Sequence, residues 1–445
     1  MKKPELPPNS IIDPDKDISD LNLVFTSTEL QRKLSEIEEE YLYWDKFKYK
    51  VKDLGVSPEL LWKFVKLGRG RSINFLKISE INGFVFKYNQ TSGINRQLHE
   101  FDLNMGGVLE GSALIPKEDK KRYLISSIME EAIASSQLEG AVMTREDAKE
   151  MLRTNRKPRN HSEQMILNNY LTMQRILELK DKPLSVELVL EIHSIISKDA
   201  LDKEQYEGKF RDNDLVNVVD AISGEIFYCP PTYKELEELM QAVCVFANAR
   251  NDKTFIHPIV RGIILHFLIG YIHPFFDGNG RTARAVFYWY LISKGYWLIE
   301  YLSISRIILK SPTQYAKAYL HTEYDENDLT YFIDYNLKSM EQALSSLKTY
   351  ISKKINEKSR LFDVIKNENI NERQIEILRN IFNNDERIIT ISEVQEEFNV
   401  VYQTARTDLL NLEKMGYLDL KTRGKKMLFF KSENFDSKIK KHINK

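Results

Sequence analysis

Cysteine is nearly absent: Cys229 and Cys244 are the only two in 445 residues. Two cysteines make neither a disulfide framework nor a zinc cluster, and Cys244, in an apolar helical stretch, reads as core packing. Net charge is nearly absent too, with 64 basic residues against 65 acidic ones. No global basic field calls for nucleic acid, so any such site must be local. Long apolar runs are missing. The most apolar, residues 262–276, is too short for a membrane span and contains His266, His273 and Pro274, so it reads as a buried helix. The opening MKKPELPPNS has no apolar leader segment, and a cytoplasmic location is expected. What remains, 42% hydrophobic and 29% charged, is the profile of a globular protein of two or three domains.

One segment concentrates chemistry: His273-Pro-Phe-Phe276-Asp277-Gly278-Asn279-Gly280-Arg281-Thr-Ala-Arg284. Pro274 disfavours helix at His273, so a helix ends there and leaves the imidazole at its terminus. Gly278-Asn279-Gly280 can adopt positive φ and turn successive N–H groups into one concavity, a nest for phosphate. A helix starting near Gly280 adds its positive end to that nest. Arg281 and Arg284, three apart, share a helix face from which both can reach a polyphosphate. Asp277 is a hard oxygen ligand suited to Mg²⁺. A neutral imidazole near pKa 6.5 suits the deprotonation of a hydroxyl.

These residues resemble the Fic signature, His-x-Phe-x-(Asp/Glu)-Gly-Asn-(Gly/Lys)-Arg-x-x-Arg, in full. Fic proteins move part of a nucleotide, usually AMP from ATP, onto a hydroxyl side chain of a protein. The resemblance implies ATP as nucleotide substrate and Mg²⁺ as metal. It makes His273 the general base, with Asn279 and Arg281 also catalytic, and Asp277 the metal ligand. Phe276, Gly278, Asn279, Gly280, Arg281 and Arg284 would hold the nucleotide, and Phe275 would anchor the loop. Tyr315 would border the adenine pocket, although an aromatic there is as readily core.

Upstream, Leu124, Ile125, Ile128, Met129, Ala132 and Ile133 trace an amphipathic helix stopped by Gly140. Its end, Ser135-Ser-Gln-Leu-Glu139-Gly140, resembles the Fic inhibitory motif (Ser/Thr)-x-x-x-Glu-(Gly/Asn). The resemblance implies that Glu139 pairs with Arg284 and keeps the γ-phosphate of ATP from seating. A plain helix-end carboxylate is the other reading. A second match, Thr322 to Asn327, falls in a polar stretch and reads as a solvated turn. Residues 215–231 hold two β-rich runs around Ser223-Gly224, a hairpin signal. With Gly208-Lys-Phe-Arg211 before it, this resembles the Fic flap, which docks a target segment by strand addition. A merely decorative hairpin is the alternative. One departure stands out: many relatives have Phe-Glu-x where this chain has Ile269-Gly270-Tyr271.

The remaining pattern is mainly α. The first twenty residues read as an extended arm. A helical pattern follows from about Thr28 to Lys66, and Lys66 to Arg71 reads as a turn, since it lacks Walker spacing. Helices are expected over 163–178, 185–198, 233–248, 258–271, 281–294, 312–322 and 329–354. A charged linker covers 356–371. Beyond it, helices over 372–383, 391–398 and 402–415 precede a two-stranded wing around Arg423-Gly424. This resembles a winged helix-turn-helix, with Thr404, Arg406 and Thr407 on the recognition helix and Arg423, Lys425 and Lys426 at the wing. Such a module docks DNA or protein equally well, and Asp408, Glu413 and Asp419 dilute its positive patch.

The expected organisation is therefore an N-terminal accessory region (1–118), a Fic domain (119–355) with inhibitory helix 122–139, and a winged helix (365–432). The expected activity is autoinhibited AMP transfer to a target docked on 215–231, or to the chain itself. Alternatives are AMP removal and a nucleotide-sensing regulator that binds DNA through 390–430. A homodimer is expected, and no membrane contact.

Overall fold

A computed structural model describes residues 2–71, 73–76, 85–106, 115, 120–201, 204–219, 224–249, 255–366, 370–383, 388–423, 426–432 and 435. Among them the chain is mainly α and forms two compact units, Met1–Glu110 with Tyr123–Ser345, and Gly111–Arg122 with Ser346–Lys445.

The first unit opens with an extended segment and then α1 (Pro14–Thr26), α2 (Thr28–Glu38), α3 (Trp44–Val51) and α4 (Pro58–Arg71). A short hairpin, β1 (Ile73–Phe75) with β2 (Lys87–Asn89), leads to α5 (Ser92–Met105). The extended arm is thus shorter than twenty residues. Pro14 sits in the first turn of α1, where its missing N–H costs nothing, and the Asp13 side chain caps that turn. The helical stretch of residues 28–66 is three helices, broken where Tyr41 takes a left-handed φ of 44° and again at Gly55, with φ 78°. Residues 66–71 are not a turn but the end of α4. Gly68 and Gly70 lower helix propensity, yet tertiary contacts override it. Arg69 is buried, with Nε and Nη2 on the Glu38 carboxylate at 2.9 and 2.6 Å and Nη1 on Tyr331 Oη at 2.7 Å.

The core follows: α6 (Lys120–Leu138), α7 (Arg145–Arg153), α8 (His161–Glu178), α9 (Val186–Ser197), then the hairpin β3 (Val218–Val219) with β4 (Ile226–Tyr228), and α10 (Leu236–Asn248). The hairpin tip expected at Ser223 lies outside the described residues. Next come α11 (Pro258–Ile272), α12 (Asn279–Ser293), α13 (Ile304–Lys310), α14 (Pro312–Tyr324) and α15 (Thr330–Lys366). Apart from Pro258 and Gly270, every residue of α11 is buried. A helix apolar on all sides must be central, and α12 packs directly on it, with α8 and α9 against α12. Side chains of Thr144, Asn160 and Ser185 cap α7, α8 and α9, each worth about 1 kcal/mol.

The N-terminal helices and the central ones belong to one compact unit. The reason is a buried polar hub between them. Tyr41 Oη donates to Asp328 Oδ2 at 2.7 Å, and Asn89 Nδ2 donates back to Tyr41 Oη at 2.8 Å. Lys66 pairs with Asp325 at 2.9 Å, and Asp325 also accepts from Tyr331 Oη at 2.7 Å. The stretch from Thr322 to Asn327 is therefore not a solvated turn throughout, because it ends α14 with Thr322 and Asp325 buried, Asp325 within this hub, and only Glu326 exposed. Composition misled there: polar residues that satisfy one another can go inside.

Helix α15 continues through Lys366, so most of the expected linker is helical. The second unit then holds α16 (Glu372–Asn383), β5 (Ile389–Thr390), α17 (Ile391–Phe398), α18 (Tyr402–Lys414), β6 (Leu418–Arg423) and β7 (Lys426–Lys431), with strand order β5-β7-β6, all antiparallel. Leu378, Ile381, Ala405, Leu409, Leu412, Tyr417 and Phe429 form its core. Gly424 and Lys425 lie outside the described residues. Asp408 does not dilute the surface charge, because it is buried and accepts from Asn371 Nδ2 at 2.7 Å and Arg373 Nε at 2.9 Å.

Candidate active site

Pro274 bars the helical region at His273, and His273 ends α11 in a left-handed conformation (φ 51°, ψ 57°). A non-glycine residue there costs about 1 kcal/mol, which the surrounding contacts absorb. Its N–H still closes on Ile269 O at 3.0 Å, and Nδ1 lies 3.2 Å from Gly270 O. A carbonyl can only accept, so Nδ1 carries the proton and Nε2 keeps a lone pair. Burial lowers the pKa of His273, so the ring is neutral near pH 7.

The loop that follows is closed by Asn279. Its Oδ1 accepts from Phe275 N–H at 2.9 Å and its Nδ2 donates to Phe275 O at 2.8 Å. Asn279 thus shapes the loop as well as flanking the site. Gly278 precedes α12 with φ 81°, and no side chain caps that helix. The orphan N–H groups of its first turn are left for an anion.

Glu139 stands at that point. A Cβ built on Gly280 would lie 2.2 Å from Glu139 Oε1 and 3.1 Å from Arg284 Nη1. Arg284 is buried; Nη2 meets Glu139 Oε1 at 2.8 Å and Ser135 O at 2.9 Å, and Nε donates to Ser135 Oγ at 2.8 Å. Burial acts most strongly against its charge, but Glu139, Tyr315 and Glu131 together outweigh it and raise the pKa. Ser135 and Glu139, some 145 residues earlier in the chain, are thus brought onto Arg284, while Gly140 ends the turn with φ 93°. Helix α6 is fixed in place by Glu131, which is buried and accepts from Tyr288 Oη at 2.9 Å and Ser305 N–H at 3.0 Å.

Arg281 points inward. It is fully buried, its Nη2 is 2.9 Å from Asp277 Oδ2, and its Nε has no partner among the described residues. Asp277 is half exposed, and that pair uses only one of its oxygens. This fits a hard metal ion. Among the described residues no three His, Cys, Asp or Glu side chains gather to bind one, so a Mg²⁺ held by Asp277 would take its other ligands from phosphate and water. Tyr315 donates to or accepts from His266 Nε2 at 2.7 Å and is electrostatically coupled to Arg284. Phe276 packs on Tyr206, with centroids 3.7 Å apart.

Two supports escaped the sequence reading. His193, on α9, stacks on Phe275 at 3.6 Å. Its Nδ1 accepts from Gly208 N–H at 3.2 Å, so Nε2–H donates to Asp277 O at 3.0 Å. A histidine in an apolar helix stripe gives no hint of that role. Arg211, read only as part of a flap flank, is buried and donates to His273 O at 3.1 Å, Asn213 O at 2.9 Å and the Pro231 carbonyl. It ties both feet of the β3–β4 hairpin to the catalytic loop.

The departure at Gly270 has a packing reason. A Cβ there would stand 2.5 Å from Tyr319 Oη, so the tyrosine occupies the space a larger residue would need.

Residues 183–291 match the model of the Fic/DOC family. The chain is 28% identical over 182 residues to the protein adenylyltransferase Fic of Nematostella vectensis, covering 40% of each chain. It is 35% identical over 89 residues to that of Drosophila melanogaster, covering 20% of this chain and 16% of that one. The match thus spans less than half the length of these curated relatives. Among solved structures, a Fic family protein from Desulfovibrio desulfuricans G20 gives a TM-score of 0.48 at 17% identity, over 76% of this chain and 94% of that chain. Fic-1 (aa134–508) from C. elegans gives 0.48 at 18% identity, over 77% and 89%. In this chain it is residues 183–291 that are similar to the Fic/DOC family.

Proposed function

We propose that this chain transfers AMP from ATP to a hydroxyl side chain of a protein, and that Glu139 restrains the transfer. The observation that carries the reading is the neutral His273, which holds its proton on Nδ1 and ends α11 five residues before Gly278, the uncapped start of α12. In the proposed step the hydroxyl oxygen attacks the α-phosphorus. The bond from that phosphorus to pyrophosphate breaks, and the hydroxyl proton passes to His273 Nε2. The first-turn N–H groups of α12 and Arg284 stabilise the growing negative charge. Mg²⁺, held by Asp277, would neutralise phosphate charge when bound.

Restraint follows from competition for one cation. The Glu139 carboxylate takes Arg284 and the space over Gly280, which an incoming γ-phosphate also needs. The flap reading of β3–β4 supplies the protein acceptor, with Arg211 holding the hairpin at the loop. Intact-mass and fragment spectrometry of the Glu139→Gly chain after incubation with ATP tests the activity. AMP on a Ser, Thr or Tyr supports it, and an unmodified chain with unmodified added proteins contradicts it.

The C-terminal unit we read as a winged helix that contacts a polyanion through α18. Buried pairing of Asp408 with Arg373 leaves Arg406 and Thr407 at the surface without that carboxylate beside them. A DNA mobility shift lost on Arg406→Ala supports this, and no shift at low salt contradicts it.

A further inference from the structure

The chain's own N-terminal segment touches the hairpin that is read above as the target dock, and this inference rests on that reading. Lys3 Nζ donates to Ile226 O at 2.9 Å and pairs with Glu225 Oε1 at 2.8 Å. The same ammonium lies 5.6 Å from the Phe227 ring centroid. One cation thus meets a main-chain acceptor, a carboxylate and an aromatic face on three successive residues of the β4 strand and its entry. Each of these attracts an ammonium by a different mechanism.

The segment is held from its other side. Pro4 is buried, the Glu5 carbonyl accepts from Tyr43 Oη at 2.8 Å, and its carboxylate accepts from Trp44 Nε1 at 3.2 Å and pairs with Lys48. Helix α3 therefore fixes where Lys3 stands. The hairpin corner is left to choose what it binds by charge.

We propose that Glu225, Ile226 and Phe227 form a subsite for a basic side chain, which Lys3 fills in the free protein. A target segment docking along the hairpin presents a Lys or Arg to the same corner and displaces Lys3. Strand addition takes its affinity from main-chain bonds and its specificity from alternate side chains, and this corner is such a specificity point. An acidic residue at that position meets Glu225 and is rejected. Lys3, tethered to the same molecule, competes at high effective concentration, so its removal strengthens target docking and leaves the chemical step unchanged.

The test separates binding from transfer. A fluorescent peptide of residues 2–11 and its Lys3→Ala counterpart are titrated into the full chain carrying Lys3→Ala. The lysine peptide binds tighter by about five-fold or more, from one ion pair and one cation–π contact, and Glu225→Lys in the chain abolishes the difference. Equal binding of both peptides, or a difference that survives Glu225→Lys, overturns the subsite. In a second arm, the Glu139→Gly chain labels a library of hydroxyl-bearing peptides. Enrichment of Lys and Arg near the modified residue supports the assignment to target docking, and labelling indifferent to charge overturns it. Absence of all labelling would count against AMP transfer itself, while the peptide titration still decides the corner.

Discussion

Glu139 Oε1 lies 2.8 Å from Arg284 Nη2 and at the same time 2.2 Å from where a Cβ on Gly280 would stand. One carboxylate therefore holds both the buried cation and the space over the uncapped end of α12. Replacing Glu139 by Gly frees both. AMP transfer should rise by about tenfold or more, the gain expected when about 1.4 kcal/mol of competition is removed. Initial rates at sub-saturating ATP check this.

His273→Ala should lower transfer by about 10²–10⁴-fold while nucleotide binding is retained, since the imidazole acts as base and not as a phosphate ligand. Because burial depresses its pKa, the active neutral form persists below pH 6.5. The acid limb of the kcat profile should therefore fall below that value. A limb centred above 6.5 would contradict the burial argument.

Gly270→Ala brings a methyl group against Tyr319 Oη. Overpacking of this kind costs about 1–3 kcal/mol. Tyr319→Phe removes the hydroxyl, so the double variant should recover part of the loss. Denaturant unfolding of the single and double variants gives the coupling directly.

Stability should fall in mild acid. Burial holds His193 down to about 4 and His266 down to about 3. Both stay neutral in the fold, whereas in the unfolded chain they take up protons near 6.5. Below pH 6.5 the unfolded state binds more protons, and stability drops as the pH falls toward 4, by about 3 kcal/mol for His193 alone. Glu323, pushed up to about 8 by burial, works with the opposite sign, and its stabilising contribution is lost as the pH rises from about 4.5 to about 8. Unfolding curves from pH 4 to 9 check both limbs, and His193→Gln should flatten the acid one.

Arg211→Lys should cost about 3 kcal/mol or more, because a buried cation serving several carbonyls is replaced by one that cannot span them. Transfer to protein targets should fall further than nucleotide binding, since the hairpin loses its hold on the catalytic loop. Equal losses in both would show that Arg211 only stabilises the fold.

The helices around the site were legible because their apolar stripes and caps are local features. Residues 258–272 announce a buried helix by composition, and the loop 273–284 announces its chemistry by spacing. The same locality explains the failures. Residues 66–71 looked like a turn because nothing nearby in sequence shows that Arg69 meets Glu38 and Tyr331. Thr322 to Asn327 looked solvated because its partners, among them Lys66 and Tyr331, lie on other elements. His193 and Arg211 support the loop from long range in sequence, and neither has a spacing signature.

The most direct measurement incubates wild type, His273→Ala and Glu139→Gly with Mg²⁺ and ATP labelled at the α-phosphate, and follows covalent label on a denaturing gel. Label strongest on the Glu139→Gly reaction, weaker in wild type and absent with His273→Ala is the predicted result. Equal label in wild type and Glu139→Gly would contradict the restraint by Glu139, and label that survives His273→Ala would contradict the catalytic assignment.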